Sequence, residues 1–434
     1  MLDIQYIRDN PELVAEKSRQ KGYEVDIQQL LGFDKERLEL LQQVEQLRRQ
    51  RNGLSDQTKG QKPNDEQIAK GRELRDQLGD LEHKLAAIEL EYETLLKAVP
   101  NMPADDVPVG ASEEENQVAK TVGEPTKFEF EPKSHWELAE AKDLIDKERA
   151  AKVSGARFAY IKGDLVRLQF AIIQYVLETL GNEDLLKKLI SDNDLNLSPK
   201  AFTPMLPPAM IKTDVFSAMD RLEPRDDRYQ VGEADDDLWL QGSAEHTLGS
   251  MYKDEILDES QLPVRYIGYS SSFRREAGTY GKDTEGILRM HQFDKLEMEV
   301  FSTAETGLDE HRLLVAIQEY LVSSLGLPYQ LIQKCTADIG KPNARGIDID
   351  TWMPGQGKYR ETHTADYMTD YQARRLKTRV RKSDGSTELV HTNDATAFAL
   401  GRVMIAIMEN YQTAEGNIKV PEVLQPYMAG RTEF

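Results

Sequence analysis

Cysteine is nearly absent: Cys335 stands alone in 434 residues. That excludes an internal disulfide framework and any zinc centre built from several thiolates, and a reducing cytoplasm is the expected setting. Long apolar runs are missing too. No stretch approaches the ~20 residues a membrane helix needs, and the start, Met1-Leu2-Asp3-Ile4-Gln5, has no basic-then-apolar export layout. Basic charge is in deficit, with 55 Lys and Arg against 76 Asp and Glu, a net charge of −21. Indiscriminate nucleic-acid binding is therefore not expected, although net charge describes the distant field and leaves local basic patches open. What remains is 39% hydrophobic and 30% charged, the profile of a globular chain too long for one core.

Two segments carry heptad spacing. Phe33, Leu40, Val44, Leu47 and Leu54 recur at threes and fours, interrupted by Arg37 and Arg51. Leu74, Leu78, Leu81, Leu85, Ile88, Tyr92 and Leu95 recur without interruption. Such spacing keeps one narrow apolar seam, and the turn formers from Asn52-Gly53 to Pro63-Asn64-Asp65 separate the two runs. An antiparallel helical hairpin with arms of roughly 35–45 Å is predicted. A dimerisation coiled coil or a plain bundle fits the same spacing; Arg48, Arg49, Arg51, Lys59 and Lys62 toward the tip tilt the reading to a phosphate contact. Prolines and the acidic run Glu113-Glu114-Glu115 then mark an extended connector.

Beyond it, helical patterns (146–152, 165–180, 309–325) mix with alternating strands (264–273, 288–300, 347–352, 378–381). Strands joined by short turns indicate an α+β domain around an antiparallel sheet. In the strand after Leu288, alternation puts Arg289, His291, Phe293, Lys295 and Glu297 on one face, with Met290, Leu296 and Met298 on the other. A face bearing cations, an aromatic ring and a carboxylate is expensive to bury and is expected to line a wet cleft. Phe293 and Glu297 would stand about 13 Å apart, suiting a ligand with an aromatic base at one end and an amine at the other. A solvated sheet face fits the same pattern.

Phe273-Arg274-Arg275-Glu276-Ala277-Gly278 followed by Arg289-Met290-His291-Gln292-Phe293 resembles the second signature motif of class II aminoacyl-tRNA synthetases in its seryl form. The resemblance spreads over the chain. Pro100-Asn101 to Val109-Gly110 and Gly123-Glu124-Pro125 look like the seryl linker, and 148–158 like the opening of the catalytic domain. Pro204, Pro207 and Pro208 fit the first motif, at a dimer-forming edge. Gly401-Arg402 with Glu409-Asn410-Tyr411-Gln412 resembles the third, and the hairpin resembles the arm that grips the long variable arm of tRNA.

The resemblance implies a tRNA-binding domain over 1–99, a linker over 100–127 and a class II catalytic domain over 128–434. It implies a homodimeric cytoplasmic enzyme that uses ATP and Mg²⁺, with no zinc, to activate serine and load it onto serine tRNA, with selenocysteine tRNA as a further candidate. Arg274, Glu276 and Arg402 would be catalytic: Arg274 on the α-phosphate, Arg402 on the γ-phosphate of a bent ATP, Glu276 on adenosine or the terminal nucleotide. Phe293 would stack on adenine, with Arg275, Thr362, His363 and Thr364 also at ATP, and Glu361 would ligate Mg²⁺. Ser243, Ala244, Glu245, Arg274, Glu297 and Thr396 would hold serine, and Arg48, Arg49, Arg51 and Lys59 would meet tRNA.

The sequence departs from the seryl pattern at the substrate. Ser243-Ala244-Glu245-His246-Thr247 stands for Thr-Ala-Glu-Val-Pro, and Arg274-Arg275-Glu276 for Arg-Ser-Glu. Glu361-Thr362-His363-Thr364 then Ala365-Asp366-Tyr367 replaces Glu-Ile-Ser-Ser then Cys-Ser-Asn, and Asp394-Ala395-Thr396 replaces Asn-Gly-Ser. The ATP roles therefore transfer better than the amino-acid roles. His363 and Asp366 lack a third soft ligand for a metal pair, and Lys377, Arg379 and Arg381 are expected on one strand face, either steering the tRNA acceptor end or simply solvated. Three rivals stay open: another small amino acid, transfer to a carrier protein (which the helical arm argues against), and a catalytically silent RNA-binding paralogue.

Overall fold

The computed structural model describes residues 1–57, 64–232, 237–277 and 286–434. The chain divides into two compact units, Met1–Met102 and Pro103–Phe434.

In the first unit two short helices, α1 (Ile4–Asp9) and α2 (Pro11–Gln20), precede two long ones, α3 (Ile27–Gln57) and α4 (Asp65–Ala98). At 1.5 Å per residue the long pair extends about 45 and 50 Å. They run antiparallel, as predicted: Arg48 near the end of α3 pairs with Glu82 in α4 at 2.7 Å, while Arg37 near its start lies 4.5 Å over the Tyr92 ring. Leu40, Val44, Leu78 and Leu85 form the seam, flanked by Leu47, Leu81 and Ile88. The interruption at Arg37 is thereby explained. Its guanidinium covers Tyr92 and pairs with buried Asp34 at 3.2 Å, which also binds Arg8 at 2.6 Å. Asn64 opens α4 with a reciprocal cap, its side chain accepting from Gln67 N at 2.8 Å.

The second unit is built on an eight-stranded sheet. Its strands are β1 (Gln117–Val122), β2 (Thr203–Met205), β3 (Val264–Phe273), β4 (Gln292–Ser302), β5 (Tyr329–Gln333), β6 (Arg345–Met353), β7 (Lys358–Thr369) and β8 (His391–Ala399). Their order across the sheet is β1-β5-β6-β7-β8-β4-β3-β2, antiparallel throughout except for β2 beside β3. Residues 117–122, within the stretch expected as connector, thus add an edge strand. β4 begins at Gln292, leaving Arg289 and His291 in the turn before it.

Alternation along these strands sorts the two faces. Leu296, Met298 and Val300 of β4, Ala365 of β7, and Ala395 and Ala397 of β8 join the main core. That core lies against α5 (Asp164–Leu180), α7 (Gly307–Ser324) and α8 (Leu400–Asn410), with α6 (Glu245–Leu248) a single turn between α5 and α7 in the chain. The intervening residues, Lys295, Glu297 and Glu299 of β4 with Asp394 and Thr396 of β8, occupy the opposite face. One face apolar under helices and one face polar is the α+β arrangement expected.

Candidate active site

A cleft opens on the polar face. Arg274, Glu276, Arg289, Phe293, Lys295, Glu361, Thr362, Thr364, Thr396 and Arg402 line it. These residues come from β4, β7, β8, the start of α8 and the segment after β3. The cleft brings together most of the residues singled out for ATP.

At one end Arg274 places its guanidinium 5.4 Å from the Phe293 ring and donates from Nε to Gly242 O at 3.2 Å. Glu276 does not continue β3, which ends at Phe273. It adopts a left-handed backbone, φ 53°, and accepts from Arg289 at 3.2 Å, so a turn rather than a strand face brings it beside Arg274. Arg275 faces the other way, with its guanidinium 4.8 Å over the Tyr229 ring and Nε donating to Arg228 O at 2.9 Å. It does not line the cleft.

Across the cleft Arg402 donates to Glu361, to its carbonyl at 2.8 Å and its carboxylate at 2.9 Å. Asp350 faces Glu361 across the β6–β7 ladder. Burial, and then the Glu361 charge, pushes Asp350 up to about 6. Asp348 is pushed up to about 8 by burial first, with the Glu361 charge adding to this and Lys334, 3.5 Å away, opposing it. Carboxylates that resist ionising beside one another fit a hard cation with oxygen ligands. Among the described residues, however, no group of three or more His, Cys, Asp or Glu takes the form of a metal site.

A bulge at Ile349/Asp350 changes the alternation of β7. His363 is consequently buried, 5.2 Å from the Phe398 ring, with Nδ1 against the Thr362 hydroxyl at 2.8 Å. Burial holds His363 down at about 3, so it is neutral. The expectation that it touches ATP is not met by this placement, since it lies under the strand and does not line the cleft.

The other end is more acidic than the motifs suggest. Ser243, fully buried, accepts from Lys295 Nζ at 2.8 Å and donates to Glu297 at 3.3 Å; Lys295 also pairs directly with Glu297. Ala244 is buried before Glu245, against the strand at Gly268. His246 Nδ1 accepts from Gly242 N at 3.1 Å, which fixes the proton on Nε2, 3.3 Å from the Glu245 carboxylate. Burial, with neighbouring arginines, keeps His246 down at about 3, consistent with that neutral tautomer. Burial works against ionisation of Glu245, but the charges of Lys295 and Arg221 hold it below the usual range. Glu297 is pushed up to about 7 by burial, with Glu245 adding to this and Lys295 opposing it.

Behind Glu297 runs a row that sequence reasoning found only in part: it named Asp366 and Asp394 among the departures at the substrate and missed Glu299. Glu299 on β4 faces Asp394 on β8, which faces Asp366 on β7. Arg221 reaches in from outside the sheet, 3.3 Å from Asp394 and 4.0 Å from Asp366. Like charges directly opposite one another destabilise a ladder, and burial plus this mutual repulsion raises both Glu299 and Asp394 well above ordinary carboxylates. Glu299 was legible as the i+2 neighbour of Glu297. Its pairing with Asp394 and Asp366 was not, since they belong to strands far along the chain.

The chain matches the model of the seryl-tRNA synthetase N-terminal domain over residues 1–103, and that of the class II tRNA synthetase core domain (G, H, P, S and T) over 229–411. A serine–tRNA ligase of Thermodesulfovibrio yellowstonii is 38% identical across 99% of both chains. One from Symbiobacterium thermophilum is 38% identical across 98% of both. The chain belongs to the seryl-tRNA synthetase family. Among solved structures, the seryl-tRNA synthetase of Pyrococcus horikoshii complexed with ATP superposes with a TM-score of 0.87 at 35% identity, covering 100% of this chain and 99% of the other.

Toward tRNA, Arg48 pairs with Glu82, Arg49 lies 3.6 Å from Glu45, and Arg51 is exposed; Lys59 and Lys62 lie outside the described residues. The second basic cluster is largely neutralised within the synthetase. Arg375 pairs with Asp220 at 3.0 Å and Lys382 with Glu259 at 2.9 Å. Lys377 ends the helix Tyr371–Leu376 in a left-handed conformation, so it does not share a strand face with Arg379 and Arg381. Among the described residues no helix is long and apolar enough to cross a membrane.

Proposed function

We propose that the cleft performs the two steps of serine–tRNA ligation. Serine and ATP first give seryl-adenylate and pyrophosphate, and the acyl group then passes to a hydroxyl of the terminal ribose of serine tRNA. One observation carries the reading: a single cleft runs from Arg274, Phe293 and Arg402 to Lys295 and Thr396, and Lys295 pairs there with the buried Glu297 and Ser243. Phe293 offers a ring for adenine. Arg274 and Arg402 offer guanidiniums for the α- and γ-phosphates, where a fixed positive charge stabilises the charge developing on phosphorus. Glu276 borders the adenosine or the incoming terminal nucleotide, and Thr364 supplies a hydroxyl along β7, whereas the Thr362 hydroxyl is taken up by Thr351, Ile349 O and His363.

Glu361, with Asp350 opposite, would hold Mg²⁺, which when bound offsets triphosphate charge. Glu245 and Glu297 take the substrate ammonium and hydroxyl, with Ser243 and Thr396 adding hydroxyls to the same end. A carboxylate left unpaired by a smaller amino acid penalises that amino acid strongly. No side chain needs to act as a covalent nucleophile, because positioning and electrostatics suffice. We read residues 1–99 as the tRNA-binding domain, with Arg48, Arg49 and Arg51 on the variable arm, 100–127 as linker and 128–434 as the catalytic domain of a cytoplasmic homodimer. Selenocysteine tRNA is a second substrate to assay.

Pyrophosphate exchange over a panel of amino acids tests this. Serine-dependent exchange is expected, and Arg402→Ala should lower kcat/KM for ATP by ~100-fold or more. Exchange led by threonine or alanine would move the substrate. No exchange with any amino acid would leave an RNA-binding paralogue.

A further inference from the structure

The amino-acid end holds more negative charge than serine can match. Five buried carboxylates, Glu245, Glu297, Glu299, Asp394 and Asp366, face buried Lys295 and half-buried Arg221. Other cations nearby are engaged elsewhere: Arg228 with Asp227 at 3.0 Å, Arg274 with Gly242 O and the Phe293 face. Serine brings a single ammonium, leaving the carboxylates in excess of the cations.

The unmet hydrogen bonds point the same way. Among the described residues, Glu245 Oε2, Glu297 Oε1 and both carboxylate oxygens of Glu299 are buried without a partner. An orphaned carboxylate oxygen of this kind is expensive. Serine's ammonium can reach Glu245 and Glu297, and its hydroxyl adds one donor. That leaves Glu299, one strand repeat beyond Glu297 on the same face.

We propose that this end of the cleft reads a second positive charge, and that the synthetase activates L-2,3-diaminopropionate, the serine analogue with an ammonium in place of the hydroxyl, alongside serine. The α-ammonium takes the Glu245 side, and the β-ammonium sits between Glu297 and Glu299, so that a second ligand cation joins Lys295 and Arg221 in offsetting the row. The chemistry is unchanged. The substrate carboxylate oxygen bonds to the ATP α-phosphorus, the bond from that phosphorus to its bridging oxygen breaks, and pyrophosphate leaves with the electron pair; no oxidant or reductant enters. Without the second cation the carboxylates hold protons instead, in keeping with Glu297 standing at about 7.

The proposal rests on the assignment of Glu245 and Glu297 to the amino acid, and the experiment separates the two. Pyrophosphate exchange by the full-length enzyme is measured with L-serine, L-2,3-diaminopropionate and L-2-aminobutyrate, which has the same size but no side-chain charge. The diamino acid should reach within ~10-fold of serine and exceed 2-aminobutyrate by ~10–100-fold, the effect of one hydrogen bond to a charged group. Glu299→Gln should lower the diamino acid by a similar factor while serine changes less than ~3-fold, the retained serine activity reporting that the variant is folded. Serine exchange without diaminopropionate exchange overturns the proposal and leaves the amino-acid site intact. Equal rates for diaminopropionate and 2-aminobutyrate, or parallel loss of both substrates in Glu299→Gln, also overturn it. Exchange with none of the three overturns the site assignment itself.

Discussion

Replacing Glu299 with glutamine should stabilise the catalytic unit increasingly as pH rises above the ordinary carboxylate range. Glu299 is 1% exposed, neither of its oxygens has a partner among the described residues, and Asp394 faces it across the ladder. Burial, then Asp394, Glu245 and Glu297, raise it well above its ordinary 4.5, while Arg221 opposes them. The folded protein therefore keeps a proton there that the unfolded chain releases once the pH passes about 4.5. Above that pH the unfolded state binds fewer protons than the native state, so stability falls as pH rises, by about 1.4 kcal/mol per pH unit, until the native group ionises. Glutamine keeps the shape and cannot ionise, so this loss disappears. Its amide, if unpartnered, subtracts about 1–3 kcal/mol that does not vary with pH. Urea unfolding of wild type and variant at pH 5.5, 6.5 and 7.5 measures this, with the catalytic unit's transition followed separately from that of the helical arm. The stability difference should widen steadily in favour of glutamine as pH rises, by up to ~3 kcal/mol across the series. A constant difference would show that Glu299 is ionised in the native state at all three values, and the charge argument would fail.

Two further outcomes follow from other parts of the structure. Reversing Arg48, Arg49 and Arg51 to glutamate should weaken tRNA binding at least ~10-fold and flatten its salt dependence, by a slope of ~0.7–0.9 for each phosphate no longer neutralised, with pyrophosphate exchange unaffected; filter binding between about 50 and 200 mM salt would show it, and an unaltered slope would remove the arm from the interface. Gly268→Ala would put a Cβ 2.6 Å from buried Leu248 at the end of α6, displacing the turn that carries Glu245. Overpacking of this kind costs about 1–3 kcal/mol, so KM for serine should rise ~5-fold or more while KM for ATP holds, and steady-state exchange with each substrate varied in turn would reveal a wrong assignment if ATP suffered equally.

Some of this molecule was written locally. The heptads of α3 and α4 set an antiparallel seam because threes and fours keep a helix face apolar wherever the helix lies, and even the break at Arg37 fell where a guanidinium could cover Tyr92. Strand alternation likewise separated Phe293, Lys295 and Glu297 from Leu296 and Met298 before any partner strand was known. The wet cleft expected for that face is only partly wet: Phe293 borders the opening, whereas Lys295 and Glu297 are buried and pair with each other.

What depended on neighbours could not be read this way. The bulge in β6 and β7 turned His363 under Phe398, and the left-handed turn at Glu276 sent Arg275 to Tyr229, because both depend on how one strand pairs or ends against another. The carboxylate row is the clearest case: Glu299, Asp394 and Asp366 meet only because β4, β8 and β7 pair in one register, with Arg221 brought in from outside the sheet. Periodicity is a property of consecutive residues and survives in the sequence. The charge felt by a buried carboxyl depends on groups brought within a few ångströms from distant segments, and only folding decides which those are.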